Sequence, residues 1–353
     1  SSGSAGTSNT VLGIDAGAIL HANSDFNVFI GDTAGDATMT AAADANVGIG
    51  FDALGTLTSG TENTVIGAYA GNAILAGGNN TFIGKSAGGS TEAVVGAVII
   101  GDGAGLGVMT TAANGTVAVG KSALAALTSG AQNTAIGFTA ADLITTGNFN
   151  TIIGYEAFTS AATDDAGNTA VGAQALYSQN GSGTTANTAI GTEASLNNVT
   201  GTNNTYVGYR SGKGGTGSNS NNTAVGKDAL YAITTGERNV AVGTNALTAL
   251  TAGGTANLGN VAIGYGALDN LQTGMSNIAI GVAAMDAATG AVSNCVVIGD
   301  RAGDAINNTD ANGTVAIGHS ALTALTSGAG NTAIGYQAGA AIVTGIENTI
   351  VGY

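Results

Sequence analysis

A five-residue phrase recurs along the entire chain and leaves it few ways to fold. It reads Asn331-Thr332-Ala333-Ile334-Gly335 near the end, and the same words begin at Asn9-Thr10-Val11-Leu12-Gly13. Anchored on its glycine, the phrase falls at Gly13, Gly31, Gly50, Gly67, Gly84, Gly101, Gly120, Gly137, Gly154, Gly172, Gly191, Gly208, Gly226, Gly243, Gly264, Gly281, Gly299, Gly318, Gly335 and Gly352, which makes 20 copies in 353 residues. The step is mostly 17 to 19 residues, with one of 21 between Gly243 and Gly264. A short period held over a whole chain is the signature of stacked repeats, each burying its apolar side against its neighbours. The period predicts an all-β protein, an elongated parallel β-solenoid of about 20 coils of 17–19 residues. Residues 1–8 read as a linker or processed N-terminal end, and 9–353 as one continuous repeat domain.

Taking the glycine as position zero, the residue before it is Ile or Val in every copy but one, Leu12, and the residue at minus three is only Thr, Val or Ile. These β-branched residues are two apart and share one strand face. That face reads as the inside of a coil. The residue at minus two varies but is mostly apolar or small, as in Val11, Phe29, Val65, Phe82, Ala135 and Tyr206. A strand apolar on both faces is usually covered on both. The minus-two face is therefore expected to lie against a partner sheet, in this chain or in another copy of it, and the second case argues for an oligomer.

Position minus four is Asn in 16 of the 20 copies, among them Asn63, Asn133 and Asn331, with Ala97, Thr116, Cys295 and Thr314 as the others. Stacking these amides predicts a structural Asn ladder that shapes a turn. The invariant glycine, as at Gly67, Gly137 and Gly335, predicts a positive φ or a backbone passing too close for a Cβ. Position plus three is Ala in all copies that reach it except Ser211, so a tight corner follows the glycine. Position plus four alternates between Gly, as Gly35 and Gly303, and a large apolar residue, as Leu124 and Leu322. The stretch after Leu124 or Leu322 suits one short helical turn or a second strand, and its length does not decide between them.

The chain has 60 Gly, no Pro, no Trp and a net charge of −15. Its apolar content separates it from disordered Gly-rich tracts. With 7 basic residues it lacks the cations that neutralise phosphates, so no nucleic acid is expected as a partner. No apolar run is long enough for a membrane-spanning helix, so no membrane insertion is expected. A single Cys rules out an internal disulfide framework, and Cys295, at a ladder position, reads as a packed thiol. Higher-order duplication is visible, since residues 113–155 and 312–353 are nearly the same text. Ser/Gly/Asn-rich stretches near 179–185 and 213–221 read as loops, and the open repeat at Tyr353 leads us to expect a further domain or another subunit over that rung.

Motifs for chemistry are sparse. Residues 115–122 fit a phosphate-loop pattern, but strand residues lie inside the motif and its duplicate carries His319 in place of Lys121, so the match follows from the repeat. Asp32, Asp36, Asp102, Asp300 and Asp304 read as turn residues; no cofactor is expected, and calcium is the one ion such turns would suit. Asp102 precedes Lys121 by one coil and Asp300 precedes His319, which suggests a short exposed charge ladder. His21 and His319 form neither a triad nor a metal cluster in the sequence. Tyr155, Tyr209, Tyr265, Tyr336 and Tyr353, with Phe51 and Phe138, all follow the glycine and predict a broken aromatic stripe on the surface or at an interface.

The run Asn-Thr-Ala-Ile-Gly-Tyr-Gln-Ala at 331–338 resembles repeats of phage and bacterial tail-fibre-like proteins, and also the Ser-Val-Ala-Ile-Gly coils of trimeric autotransporter adhesin heads. The resemblance spans nearly the whole chain at the level of the repeat. It implies a parallel β-roll, a homotrimer, and a place outside the cell, on a cell surface or on a virion; the adhesin coils are shorter than those here. Taken together, the expected function is a structural or adhesive extracellular fibre, without catalysis, whose partners are its own copies and a cell-surface glycan or host surface. The alternatives are a filament stacked end to end and a polysaccharide-binding or -degrading β-helix. Ice binding would want an exposed Thr array, and the exchange of Thr with Val at minus three argues that this column is buried.

Overall fold

Each copy of the phrase forms a three-residue strand at positions minus three to minus one, ended by the glycine. The computed structural model describes residues 7–40, 43–160, 164–215, 217, 219–251 and 259–353. The chain divides into two compact units, Ser1–Ala173 with Ser182–Thr184, and Gln174–Gly181 with Thr185–Tyr353. In the first, ten strands from β1 (Thr10–Leu12) to β10 (Thr169–Val171) pair in chain order, each parallel to the next. In the second, β11 (Thr188–Ile190) to β20 (Thr349–Val351) do the same. Like positions face like positions, with Thr134 opposite Thr151, Ala135 opposite Ile152 and Ile136 opposite Ile153. Each unit is a parallel β-solenoid, as the repeat predicts.

The faces of the strand are the reverse of the expectation. The minus-two side chain points into the coil: Phe29, Val65, Phe82, Ala135 and Tyr206 are fully buried. Its neighbours at minus three and minus one point outward, and Ile136 and Ile153 remain 38% and 37% exposed. The apolar face awaiting cover is thus the Thr/Val and Ile/Val face, not the minus-two face. The interior is closed from the other side by plus three, plus four and plus seven, for example Ala123, Leu124 and Leu127, all fully buried.

The stretch after the glycine is neither a helical turn nor a second strand. It is a run of turns with left-handed residues at plus two and plus four, such as Ser122 (φ 57°) and Leu124 (φ 50°). That alternation puts Ala123 and Leu124 into the core side by side, which a strand cannot do because successive side chains alternate faces. The turn backbone bonds between coils: Ser122 N–H donates to Asp102 O and Leu124 N–H to Ala140 O, both at 3.0 Å. Helical geometry among the described residues is limited to the 3-10 turns Thr111–Ala113 and Thr309–Ala311.

The position-zero glycines combine both reasons for their invariance. Gly137 has φ 145°, and a Cβ there would lie 2.1 Å from Gly154 O in the next coil. The same holds at Gly67, where the nearest atom is Gly84 O at 2.4 Å, and at Gly335, with Gly352 O at 2.0 Å.

The Asn side chains form a ladder inside the coil corner. Asn133 Nδ2 donates to Gly147 O at 2.7 Å, while its Oδ1 accepts from Asn150 N and Asn150 Nδ2, both at 3.0 Å. Asn63 and Asn331 repeat the pattern, donating to Gly77 O at 2.9 Å and to Gly345 O at 2.7 Å. Buried amides without partners would each be costly, and here both ends are satisfied. At three of the four exceptions a smaller donor takes over: the Thr116 and Thr314 hydroxyls donate to Ala113 O and Ala311 O, both at 2.7 Å, and the buried Cys295 thiol, whose pKa burial pushes up, donates to Ala311 O at 3.4 Å.

Candidate functional site

The outward strand face is the largest chemical feature of each unit. It consists of two columns, minus three and minus one, and neither holds a charged residue in any copy. At minus three stands Thr in eleven copies, Val in eight and Ile in one. At minus one the Ile and Val side chains are all partly exposed, and close to two-fifths exposed at Ile66 (37%), Ile190 (40%), Ile263 (38%) and Ile334 (40%). Five of the ten in each unit are exposed to that degree or more, and at roughly 60–70 Å² apiece they alone leave about 300–350 Å² per unit in water before the rest of the two columns is added, within the range of the largest patch on a typical monomer. Parallel sheets are ordinarily covered on both faces. This face is regular because the strands are in register at the usual strand spacing.

The plus-one column borders it one residue beyond the glycine. Tyr155 is 53% exposed and stacks on Phe138 with ring centres 5.5 Å apart. Tyr336 is 46% exposed and lies between His319 and Tyr353, each stacked at 5.2 Å. Tyr209 and Tyr265 are exposed in the same column, Tyr265 between Thr244 and Val282. The structure thus brings Phe138 against Tyr155 and Tyr336 against Tyr353, and leaves Tyr209 and Tyr265 apart from the other predicted rings. They border the apolar face and do not form a cleft.

The remaining sequence candidates do not converge. Among the described residues no three His, Cys, Asp or Glu side chains gather as a metal site. The Asp102–Lys121 and Asp300–His319 ladder does not close into ion pairs, and His319 packs on Tyr336 instead. At residues 115–122 the chain runs through a strand, Val117–Val119, and then into turns, so no helix N-terminus cradles a phosphate. Burial, then the neighbouring Asp52, raises the Asp36 carboxyl above its ordinary value, and burial does the same for Asp304.

One cluster was not singled out in the sequence. Arg210, Asp228, Tyr231, Asn245 and Thr248 line a cavity of about 330 Å³ in the second unit. Its signal was opposite charge at the same repeat position in adjacent coils, Arg210 and Asp228 at plus two, with Lys213 and Tyr231 at plus five. No protein-family model matches the chain, and no curated protein matches it significantly.

Proposed function

We propose that the chain is the shaft of an extracellular fibre, assembled side by side with its own copies through the outward strand face. The observation behind this reading is that face itself: uncharged, aliphatic and repeated on every strand. Burying it against water is the main energy a repeat protein of this kind has left to gain, at about 25 cal/mol per Å². A second copy presents the same columns at the same spacing, so coil meets coil without a change of register. Three copies around one axis would cover all three faces, which is the arrangement implied by the resemblance to adhesin heads and tail fibres. The function is then mechanical: a stiff stack holding surface loops at a distance from its anchor.

Light scattering at low and high concentration tests it. A fixed trimer supports the proposal, and the double variant Ile136→Asp/Ile153→Asp should then lower the mass while the circular dichroism spectrum stays that of a β protein. Open-ended growth would favour the stacked filament. A folded monomer at every concentration would sink both.

A second reading has one observation in its favour. The minus-three column, expected to be buried, is on the outside, so the sheet presents outward Thr in eleven copies, which is what ice binding wants. Thermal hysteresis in a freezing-point measurement would select this reading, and freezing at the ordinary point would remove it.

A further inference from the structure

Polar chemistry in the second unit collects on one corner of the coil. Positions plus two and plus five both point outward there, and three successive coils fill them with Arg210 and Lys213, Asp228 and Tyr231, and Asn245 and Thr248. Asp228 holds Arg210 by two bonds, 2.8 Å from Nε and 3.1 Å from Nη2. The Asp228 side chain is only 10% exposed, so this carboxylate is part of the wall. The guanidinium carbon lies 4.8 Å from the centre of the Tyr209 ring and 5.0 Å from that of Tyr231. Lys213 Nζ sits 2.6 Å from Glu193 Oε2 and 5.9 Å from the Tyr231 ring centre. The Thr248 hydroxyl donates to Asp228 O at 3.3 Å.

An arginine held by two bonds and flanked by two rings does not have to be ordered when a ligand arrives, and such preorganisation lowers the cost of binding. The depression, of about 330 Å³, is open to solvent rather than enclosed, so a saccharide would lie against it with one face in water. Its lining offers a tyrosine ring, a planar guanidinium, an amide and a hydroxyl. That set matches a saccharide, which presents C–H faces and a rim of hydroxyls that both donate and accept. Charge narrows the class. Arg210 and Lys213 are already paired, with Asp228 and Glu193, and Asp269 stands at plus five one coil beyond Thr248. Lys227 is the cation without a carboxylate of its own: its side chain is 58% exposed, and its Nζ lies 3.7 Å from the Asp228 oxygen that already accepts from Arg210.

We propose that this corner binds one or two residues of an acidic saccharide. Lys227 takes the carboxylate, Arg210, Asn245 and Thr248 meet hydroxyls, and Tyr231 supports the ring. None of the cavity's residues lies at minus three or minus one, while Lys227, beside the cavity at plus one, borders the face proposed for assembly, so binding and assembly are read separately.

Calorimetric titration of the full chain tests it, with trigalacturonate and sialyllactose as acidic probes, and with methyl-esterified trigalacturonate and lactose as their neutral counterparts. Light scattering on the same samples reports the assembly separately. At least one acidic probe should bind with Kd of about 1 mM or tighter, and its neutral counterpart about fivefold or more weakly. Lys227→Gln, a change at an exposed side chain, should bring the acidic probe down to the affinity of the neutral one and leave the neutral one as it was. Tyr231→Ala should weaken both about tenfold; should that variant fail to fold, Lys227→Gln carries the test alone. No heat from either acidic probe, equal binding of acidic and neutral forms, or binding unchanged by Lys227→Gln would overturn the proposal.

Discussion

Replacing Gly137 by Ala should be among the most damaging single changes available to this chain. Two costs add at that position. The backbone has φ 145°, a region that only glycine occupies readily, and holding another residue there costs about 1–3 kcal/mol. The new Cβ would also sit 2.1 Å from Gly154 O and 2.6 Å from Gly154 C. Carbon and carbonyl oxygen rest at about 3.3–3.6 Å even in close favourable contacts, so the coils must part by more than about 1 Å. The coils are tied on both sides of that point, by Gly137 N–H to Val119 O and Gly154 N–H to Ile136 O, each at 2.8 Å. Stretching two or three such bonds out of range costs about 1 kcal/mol apiece. The sum is about 3–6 kcal/mol, reaching the range where single mutations are exceptional. Gly103→Ala is the matched control. Gly103 is also left-handed (φ 64°), but its nearest neighbour would be Ser122 Oγ at 3.8 Å, and the same repeat position holds Ser122 and Thr139 in the following coils. Its cost should be about 1 kcal/mol. Solenoids can open locally, so amide hydrogen exchange read peptide by peptide is the better assay than one global midpoint. Protection should collapse in the coils on either side of Gly137 and stay nearly unchanged around Gly103. Equal protection in the two variants would refute the steric account of the invariant glycine.

Two further perturbations test the corner and the turn face. Asn133→Leu removes a donor to Gly147 O and the acceptor for two N–H groups of Asn150, leaving buried polar groups without partners; a loss of about 3–4 kcal/mol should appear as a lower urea midpoint. Asp286 has its pKa raised above 3.8, first by burial and then by Asp269 and Asp304. A carboxyl with a raised folded-state value binds its proton more tightly when folded, so its contribution to stability is full below pH 3.8 and is lost as pH rises through the raised value. Asp286→Asn should therefore raise the urea midpoint at neutral pH, with the gain shrinking to nothing below pH 3.8.

The parts of the fold set by backbone constraint could be read from the sequence. The glycine at position zero and the Asn at minus four mark a period, and a period in register gives parallel strands, coil on coil. The inside of the coil could not be read the same way. Uniform Ile and Val at minus one look like a core, yet Ile136 and Ile153 face outward, where a regular column needs uniform residues. The core positions vary because volume can be traded between them. The turn conformation was hidden for another reason: left-handed φ falls on residues such as Leu124, Phe158 and Leu230, which carry no sequence mark of it. The Arg210 corner was hidden because its residues come from three coils. Arg210 and Asp228 are 18 residues apart and Asp228 and Asn245 are 17, so no local motif records their meeting.

The trade of volume was the signal that could have oriented the strand, and it makes a testable rule. Where minus two is large, plus four is Gly: Phe29 with Gly35, Phe82 with Gly88, Ile99 with Gly105, Tyr206 with Gly212, Val297 with Gly303. Where minus two is Ala, plus four is most often Leu or Met: Ala118 with Leu124, Ala224 with Leu230, Ala279 with Met285, Ala316 with Leu322. The distances explain it, since a Cβ at Gly88 would meet the Phe82 ring at 2.5 Å and one at Gly212 the Tyr206 ring at 2.5 Å. Where a coil breaks the rule its neighbour compensates: Ala135 and Ala141 are both small beside Ile152 and Phe158, both large. Only two side chains filling one interior space would vary in this way. The rule predicts a rescue. Ala118→Phe alone overpacks the coil and should cost about 1–3 kcal/mol. Leu124→Gly alone leaves a cavity worth about 2–5 kcal/mol, less about 1 kcal/mol regained from the left-handed backbone at φ 50°. The double variant recreates the pairing found at Phe82 and Gly88, and should unfold within about 1 kcal/mol of the unaltered chain against about 2–7 kcal/mol for the summed single losses, a coupling of about 1 kcal/mol or more. Hydrogen exchange in the coil holding Leu127 and in those next to it reads that coupling directly. Additive losses in the double variant would mean that the two positions do not share one space, and with that the orientation of the strand face would lose its energetic explanation.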